Sequence, residues 1–413
     1  MRIIYHHRTQ LADAQGVHVR SIVDALRELG HEVEVISLAG SSFGPAPPDS
    51  AALRIDTARL PRAVYEALSL GYNVYGYRQL ARAIRRHRPD LIYERYAPNT
   101  CCGVLAGRRF GVPLLLEINA PWHDHLPSGK APRFQRLARR LERWVCSNST
   151  RTIAVSASLK RHLVESGVPE RQVTVMHNAV DPARFHPAVS GADVRRRYQL
   201  AGEVVAGFVG WLRDWHGLEG VIDVVHGSGL LERGLRLLIV GAGPTFARVQ
   251  TRVRSLGLGD RVIMTGPVAH EAVPAHIAAL DIALQPRATT HACPMKLIEY
   301  MAMGCCIVAP DQPNVRELLS DSVSARLFPP GDYRSMVSLV AALMDSRDER
   351  AALGRHARRT VVERDLSWRA NATRALGVLR GEQHNGEASI PAVAHRPDGP
   401  AHQASRSELL GQR

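Results

Sequence analysis

The sequence predicts an α/β protein with two doubly wound parallel sheets, and three observations carry that prediction. Short apolar runs alternate with amphipathic segments along most of the chain, the alternation breaks once and restarts, and 413 residues exceed the usual size of a single core. With 45% apolar residues there is ample material for two buried sheets facing across a cleft.

Each element follows from its own pattern. The run RIIY (2–5) leads into a polar loop ending at Gly16. Val19, Ile22, Val23, Leu26 and Leu29 then fall at helical spacing, and Gly30 supplies a stop. HEVEVISL (31–38) alternates as a strand does, and DLIYERY (90–96), VPLLLEIN (112–119), TIAVS (152–156) and VTVMHNAVD (173–181) repeat the theme between helical segments. Residues 1–185 therefore form one expected domain. Residues 186–203 are rich in turn formers, lack a clean period and read as a linker. The alternation resumes with VVAGFVGWL (204–212), LRLLIVGAGP (235–244), RVIMTGPV (261–268), DIALQP (281–286) and CIVAP (306–310), giving a second domain over 204–364. Residues 381–413 are too poor in large apolar side chains to fold alone and read as a disordered tail.

Bulk properties exclude several classes. The first residues lack the apolar stretch of a signal peptide, and no run approaches a membrane span, so the expectation is a cytoplasmic protein that does not cross the membrane. Six cysteines without CxxC spacing suit reduced thiols better than a disulfide framework or a zinc site. The net charge of +14 comes almost wholly from scattered arginine, with lysine only at 130, 160 and 296. With no recognised nucleic-acid motif beside it, that charge does not make a nucleic-acid-binding protein.

One window carries chemistry. In HACPMKLIEYMAMGCCIVAP (291–310), Pro294 fits a first helical position and Gly304 a stop, so a helix is expected over 294–303 with Leu297, Ile298, Met301 and Ala302 toward the core. Lys296 then stands in the first turn, where the helix dipole disfavours a cation by roughly 0.3–1 kcal/mol unless an anion is present. Together with the unpaired backbone amides it makes an anion site suited to phosphate. Glu299, three residues on, reaches the same ligand, and a carboxylate accepts two hydrogen bonds from a vicinal diol such as ribose. Phosphate and ribose together indicate a nucleotide. The competing reading is an exposed Lys–Glu pair worth under ~0.5 kcal/mol.

That window resembles the donor-binding motif of family 4 glycosyltransferases with the GT-B fold, in which a carboxylate, seven residues and a Glu lead into a helix followed by a strand. Glu299 matches the second carboxylate, whereas the first acidic position holds His291. The stretch 238–286 resembles the family's strand, Gly-x-Gly-x loop and long helix; VTVMHNAVDPARFHP resembles its interdomain segment; and DLSWRANATRALGVL resembles its late helix, expected over 365–380 and crossing back to the first domain. The resemblance implies a retaining, metal-independent hexosyltransferase with no cofactor, its co-substrate a UDP-, GDP- or dTDP-linked sugar. A carbohydrate or lipid-linked acceptor in polysaccharide or glycolipid assembly is expected, with a small natural product as the alternative. No nucleophile is evident, which favours front-face attack through an oxocarbenium-like state. A reading of another class is a non-catalytic partner that binds the sugar nucleotide.

The resemblance also assigns sites. The donor would meet Gly16, Gly210, Arg213, Gly241, Pro294, Met295, Lys296, Leu297 and Glu299. Where the family places an Arg and a Lys on the diphosphate, this chain has Trp211 and His216, so the charge falls to Arg213, Lys296 and backbone amides. Asp214 competes for Arg213 as an ion-pair partner. VGAGPTF lacks the third glycine of a dinucleotide fingerprint, and that reading of Gly241 and Gly243 is rejected. Asn119, His123 and Glu94 are the expected acceptor contacts at the first sheet's cleft edge, with Glu117 a further carboxylate there. Lys296, Arg213, His291 and His123 form the expected catalytic set. No metal is expected at HDH (123–125), because its two imidazoles diverge on either a strand or a helix. Finally, 132–147 sets Arg133, Arg136, Arg140 and Arg143 on one stripe and Phe134, Leu137, Leu141, Trp144 and Val145 on another. Such a helix suits either an ordinary α/β surface with a solvated arginine face or peripheral contact with an anionic membrane at its inner face.

Overall fold

The computed structural model describes residues 1–9, 14–37, 62–125 and 134–381. The first unit runs β1 (Arg2–His7), α1 (Ala14–Glu28), β2 (Glu32–Ser37), α2 (Arg62–His87), β3 (Leu91–Arg95), α3 (Cys102–Phe110), β4 (Leu114–Ile118), α4 (Gln135–Asn148), β5 (Arg151–Ala154), α5 (Ala157–Glu165) and β6 (Val173–Val175). The second begins with α6 (Ala192–Arg197) and β7 (Val204–Val209), and continues through α7 (Leu218–Gly227), β8 (Leu235–Val240), α8 (Phe246–Ser255), β9 (Val262–Gly266), α9 (Val273–Ala278) and β10 (Ile282–Leu284). It closes with α10 (Met295–Ala302), β11 (Cys306–Pro310), α11 (Pro313–Arg316), β12 (Arg326–Phe328), α12 (Tyr333–Met344) and α13 (Arg347–Glu363), after which α14 (Trp368–Leu379) ends the described chain.

Each unit holds a six-stranded sheet in which every named pairing is parallel. Parallel sheets need crossover helices on both faces, and this buries their strands and makes them apolar runs. All five residues of β3, β4 and β11 are buried accordingly. The strand order is β2-β1-β3-β4-β5-β6 in the first sheet and β12-β11-β10-β7-β8-β9 in the second.

α14 returns to the first unit. Its Trp368 meets the edge of His18 at 4.8 Å, and Trp368, Ala372, Ala375 and Leu376 join Val19, Ile22 and Leu26 of α1 in one core. The stretch read as linker is also tied down, since Arg195 pairs with Asp281 at 2.5 Å and a Cβ on Gly191 would lie 2.4 Å from the backbone of Ala279. Among the described residues no helix is long and apolar enough to cross a membrane.

Two expectations about the elements need correction. Gly16 lies inside the first turn of α1, because the helix starts two residues earlier; the loop before Ala14 is outside the described residues. Pro294 is the residue preceding α10, with ψ 115°, and not its first helical residue. The helix α2 received no assignment from the sequence, since its apolar residues do not keep to one stripe, and β12 is only three residues long. The tail from 382 lies outside the described residues, as does Arg133.

Candidate active site

In an open parallel sheet the crevice lies outside the carboxyl ends of the strands, where the strand order reverses. That point falls between β1 and β3 in the first sheet and between β7 and β10 in the second. The chain leaving β7 is the glycine-bearing segment 210–217, and the chain leaving β10 runs through 285–294 into α10. These two segments together with α10 carry all the expected donor residues except Gly16 and Gly241.

Lys296 is the meeting point. Its Nζ stands 3.8 Å over the Phe208 ring and 3.2 Å from Nε2 of the buried His216. Gly210, at φ +146°, leaves the space for it, because a Cβ there would come within 3.1 Å of Lys296 Nζ. Tyr300, one turn along, accepts the Val209 amide at 2.8 Å through its hydroxyl and fastens α10 to the end of β7. Burial pulls Lys296 down to about 7 against the attraction of Glu299. Burial likewise pushes Glu299 up to about 7, against Lys296 and Arg184. No other described residue gives the Glu299 carboxylate a hydrogen bond or ion pair. Such an open carboxylate beside a cation suits a ligand bearing both hydroxyls and phosphate.

The supporting loop is built on glycine. Gly241, at φ +121°, backs Gly210 so closely that a Cβ would lie 2.1 Å from the Gly210 carbonyl oxygen, and Gly243 does the same to Leu212 at 2.2 Å. Gly241 thus acts through Gly210. Gly241→Ala is expected to lose about 1–3 kcal/mol from strained φ and overpacking, and to weaken anion binding at Lys296; urea unfolding and a nucleotide-binding assay read the two effects. Arg213 lies over Trp215, its guanidinium carbon 5.0 Å from the ring centre. The expected Arg213–Asp214 competition does not occur: Asp214 bonds Arg248 at 2.6 Å, and Arg248 also takes Glu219 at 2.7 Å.

The loop 285–294 faces the first unit. His291 brings its ring within 4.9 Å of His162 and 5.8 Å of His123, and those two lie 5.2 Å apart, so three imidazoles meet between the sheets. His123 and His291 were expected at the site; His162, on α5, carries no signal beyond its residue type. Ser156 Oγ donates to the His291 carbonyl at 2.7 Å, and Asn178 Nδ2 donates to that of Cys293 at 2.6 Å. Glu317 completes the joint. Its carboxylate accepts the amides of Ala157 and Ser158 at the N-terminus of α5, where the dipole favours an anion, and takes His177 Nε2 at 2.8 Å. Sequence reading missed both Asn178 and Glu317, whose partners lie far away in the chain.

At the first sheet's switch point the polar groups are turned inward. Glu94 is only 2% exposed, with Oε1 3.1 Å from His6 Nδ1, and His6 Nε2 lies 2.9 Å from the Tyr72 hydroxyl. Direct acceptor contact by Glu94 is therefore corrected: the side chain closes onto its own domain. Among the described residues His6, Glu94 and Cys102 are the one group with metal-ligand atoms within 4.8 Å of one another, yet both imidazole nitrogens of His6 are already engaged. Asn119 stays partly exposed and donates to Glu117. Glu117 also takes Arg95 at 3.0 Å and the Tyr93 hydroxyl at 2.6 Å, with His18 Nε2 at 3.2 Å. Burial raises its carboxyl, but His18, Arg95 and the hydrogen bonds outweigh that and hold it below the usual range.

Buried neutral imidazoles give a pH prediction. Burial holds His7 and His18 down at about 4, and burial with the charges of Lys296 and Arg213 holds His216 at about 2. The unfolded chain takes up these protons near 6.5, so the stability they contribute is full above 6.5 and declines on acidification toward 4. The limiting slope is about 1.4 kcal/mol per pH unit per group. Lys296, at about 7 when folded against roughly 10.4 unfolded, adds stability that rises with pH above 7, and Glu299, at about 7 against roughly 4.3, offsets part of the loss below 7. Thermal midpoints measured from pH 8 to pH 5 should therefore fall throughout, and more steeply below 6.5, where the three imidazoles take up protons in the unfolded chain.

The sequence model described as Glycosyltransferase Family 4 matches residues 15–184, and that of Glycosyl transferases group 1 matches residues 193–360. A GDP-mannose-dependent alpha-mannosyltransferase of Mycobacterium tuberculosis is 27% identical over 366 residues, covering 87% of this chain and 90% of the relative. A 2-deoxystreptamine glucosyltransferase of Streptomyces kanamyceticus is 25% identical, over 80% of this chain and 89% of its own. Among solved structures, Anabaena HepE in complex with UDP superposes with a TM-score of 0.69 at 17% identity, covering 92% of this chain and 100% of that one. Sucrose-phosphate synthase of Thermosynechococcus elongatus gives 0.73 at 17% identity, covering 92% and 99%. Likeness at that identity speaks for the shared two-sheet fold.

Proposed function

The chain belongs to glycosyltransferase family 4, the retaining nucleotide-sugar glycosyltransferases of GT-B fold, and from that premise we propose that its donor diphosphate lies on Lys296 and its donor ribose on Glu299. The observation that carries this reading is the pair itself: a lysine and an unpartnered carboxylate one turn apart on α10, at the switch point of the second sheet. The Gly210 loop gives the phosphates room to approach, and Arg213 assists. Lys296 would neutralise charge on the departing diphosphate while His291 and His123 line the sugar's side of the cleft. Asn119 stands at the acceptor's edge.

A thermal-shift panel of UDP-, GDP- and dTDP-sugars at low salt tests it. One donor is expected to raise the midpoint of the native protein and to have no effect on Glu299→Ala. Stabilisation that survives in the variant would place the ribose elsewhere.

The acceptor we propose is lipid-borne, in polysaccharide or glycolipid assembly. The support is α4, which leaves Phe134 48% and Leu137 44% exposed beside the exposed Arg136, Arg140 and Arg143, while Ala138, Val145 and Cys146 turn to the core. Apolar and cationic groups on one outer face fit an anionic bilayer surface. Phe134→Ser combined with Leu137→Ser is expected to reduce co-sedimentation with phosphatidylglycerol vesicles several-fold while leaving the fold intact. Unchanged sedimentation would favour a water-soluble acceptor such as a small natural product.

A further inference from the structure

The amide hydrogen of Arg213 points at Nδ1 of His216 across 3.1 Å. That nitrogen therefore presents its lone pair, and the neutral ring carries its one hydrogen on Nε2. Nε2 faces Lys296 Nζ at 3.2 Å. An ammonium has three donors and no acceptor, so it cannot take the Nε2 hydrogen; an amine can. An imidazolium does not resolve the conflict, because it would turn a second hydrogen against the Arg213 amide. The ring is moreover 7% exposed, with Phe208 4.7 Å away.

We propose that His216 holds Lys296 as a neutral amine while the site is empty, and that an arriving donor diphosphate converts it to the ammonium, so that donor binding takes up one proton. The second half rests on the donor reading above. In that step Lys296 Nζ gains a proton from solvent, its lone pair leaves the His216 hydrogen, and both N–H groups turn to phosphate oxygens. The charges around the amine are few. Glu299 on its own helix and the π-face of Phe208 favour the ammonium; Arg213 on the facing loop acts against a charge on His216, and Arg184 draws on Glu299. A diphosphate would add two negative charges to the first group and tip the balance. The chain thus has a cation that forms on demand, where the family resemblance places a lysine at position 216.

The sequence makes the test simple, because lysine occurs only at 130, 160 and 296. With 13Cε-labelled lysine three signals are expected, and Lys296→Arg assigns the one of interest. In the ligand-free enzyme that signal should titrate near 7, about three pH units below its companions. Titration near 10 would overturn the proposal. His216→Ala should raise the midpoint by at least one unit, and His216→Leu, closer in volume, serves if the alanine variant does not fold. A midpoint that stays put in the folded variant would remove His216 from the account. Saturating UDP-glucose or GDP-mannose, neither of which titrates between pH 6 and 9, should move the signal to the ammonium position at pH 8. Calorimetry in buffers of different ionisation enthalpy should then find close to one proton taken up. Binding without that uptake overturns the coupling. A signal that titrates near 7 in a protein that no UDP-, GDP- or dTDP-sugar of the thermal-shift panel stabilises would instead overturn the donor reading and leave the amine in place.

Discussion

Lys296→Ala is expected to lower turnover by about 10²–10³-fold, the loss typical of removing one preorganised group from a developing charge. The effect on folding should be far smaller. The Lys296 side chain lies on the Phe208 ring of β7 and, among the described residues, hydrogen-bonds only to His216, so truncation removes a few methylenes of packing and no backbone hydrogen bond. The hydrogen-bonding partner lost from His216 is replaceable by water in the space the lysine vacates. Steady-state turnover with the donor identified by the thermal-shift panel, set beside urea unfolding, separates the two effects. Unchanged turnover with a damaged fold would remove Lys296 from catalysis.

Glu117→Ala should act in the opposite sense, on stability before activity. Its carboxylate is 2% exposed and gathers Arg95, Tyr93, Asn119 and His18 at the end of β4. Deleting it leaves the Arg95 guanidinium, itself 7% exposed, with its buried charge uncompensated. Breaking a buried pair from one side costs roughly 3–5 kcal/mol, a large share of any domain's stability. Glu117→Gln keeps the shape and an acceptor for Tyr93 while losing the charge, and should fall between the two. A loss below about 1 kcal/mol for the alanine variant would mean that Arg95 finds another anion or water.

The sequence made the strands of both sheets legible for a physical reason. A strand buried on both faces must be apolar throughout, and runs such as LLIV or CIVAP have no other comfortable place. Lys296 and Glu299 were legible because a cation in a helix's first turn is an anomaly that asks for an anion. His216 showed only as a missing lysine, since nothing in its neighbours announces that its ring closes onto a residue 80 positions away. Asn178 and Glu317 stayed hidden for the same reason. Glu94 was misplaced because its position at a strand's end says nothing about which side of the sheet holds a partner, and His6 held it inward. The glycine at position 16 suggested a loop, but the helix had already begun at Ala14.

The return of α14 to the first unit bears on how the protein is made. Trp368, Ala372, Ala375 and Leu376 complete a core whose other members come from the first third of the chain and from residues 153–179. A ribosome emits those early strands long before it reaches position 368, so they must wait through synthesis of the entire second domain with one apolar face uncovered. Domain-by-domain folding during translation is therefore expected to stall for the first half alone. A fragment ending at residue 185 should be released as a sticky intermediate, and supplying 365–381 as a separate peptide should rescue its solubility.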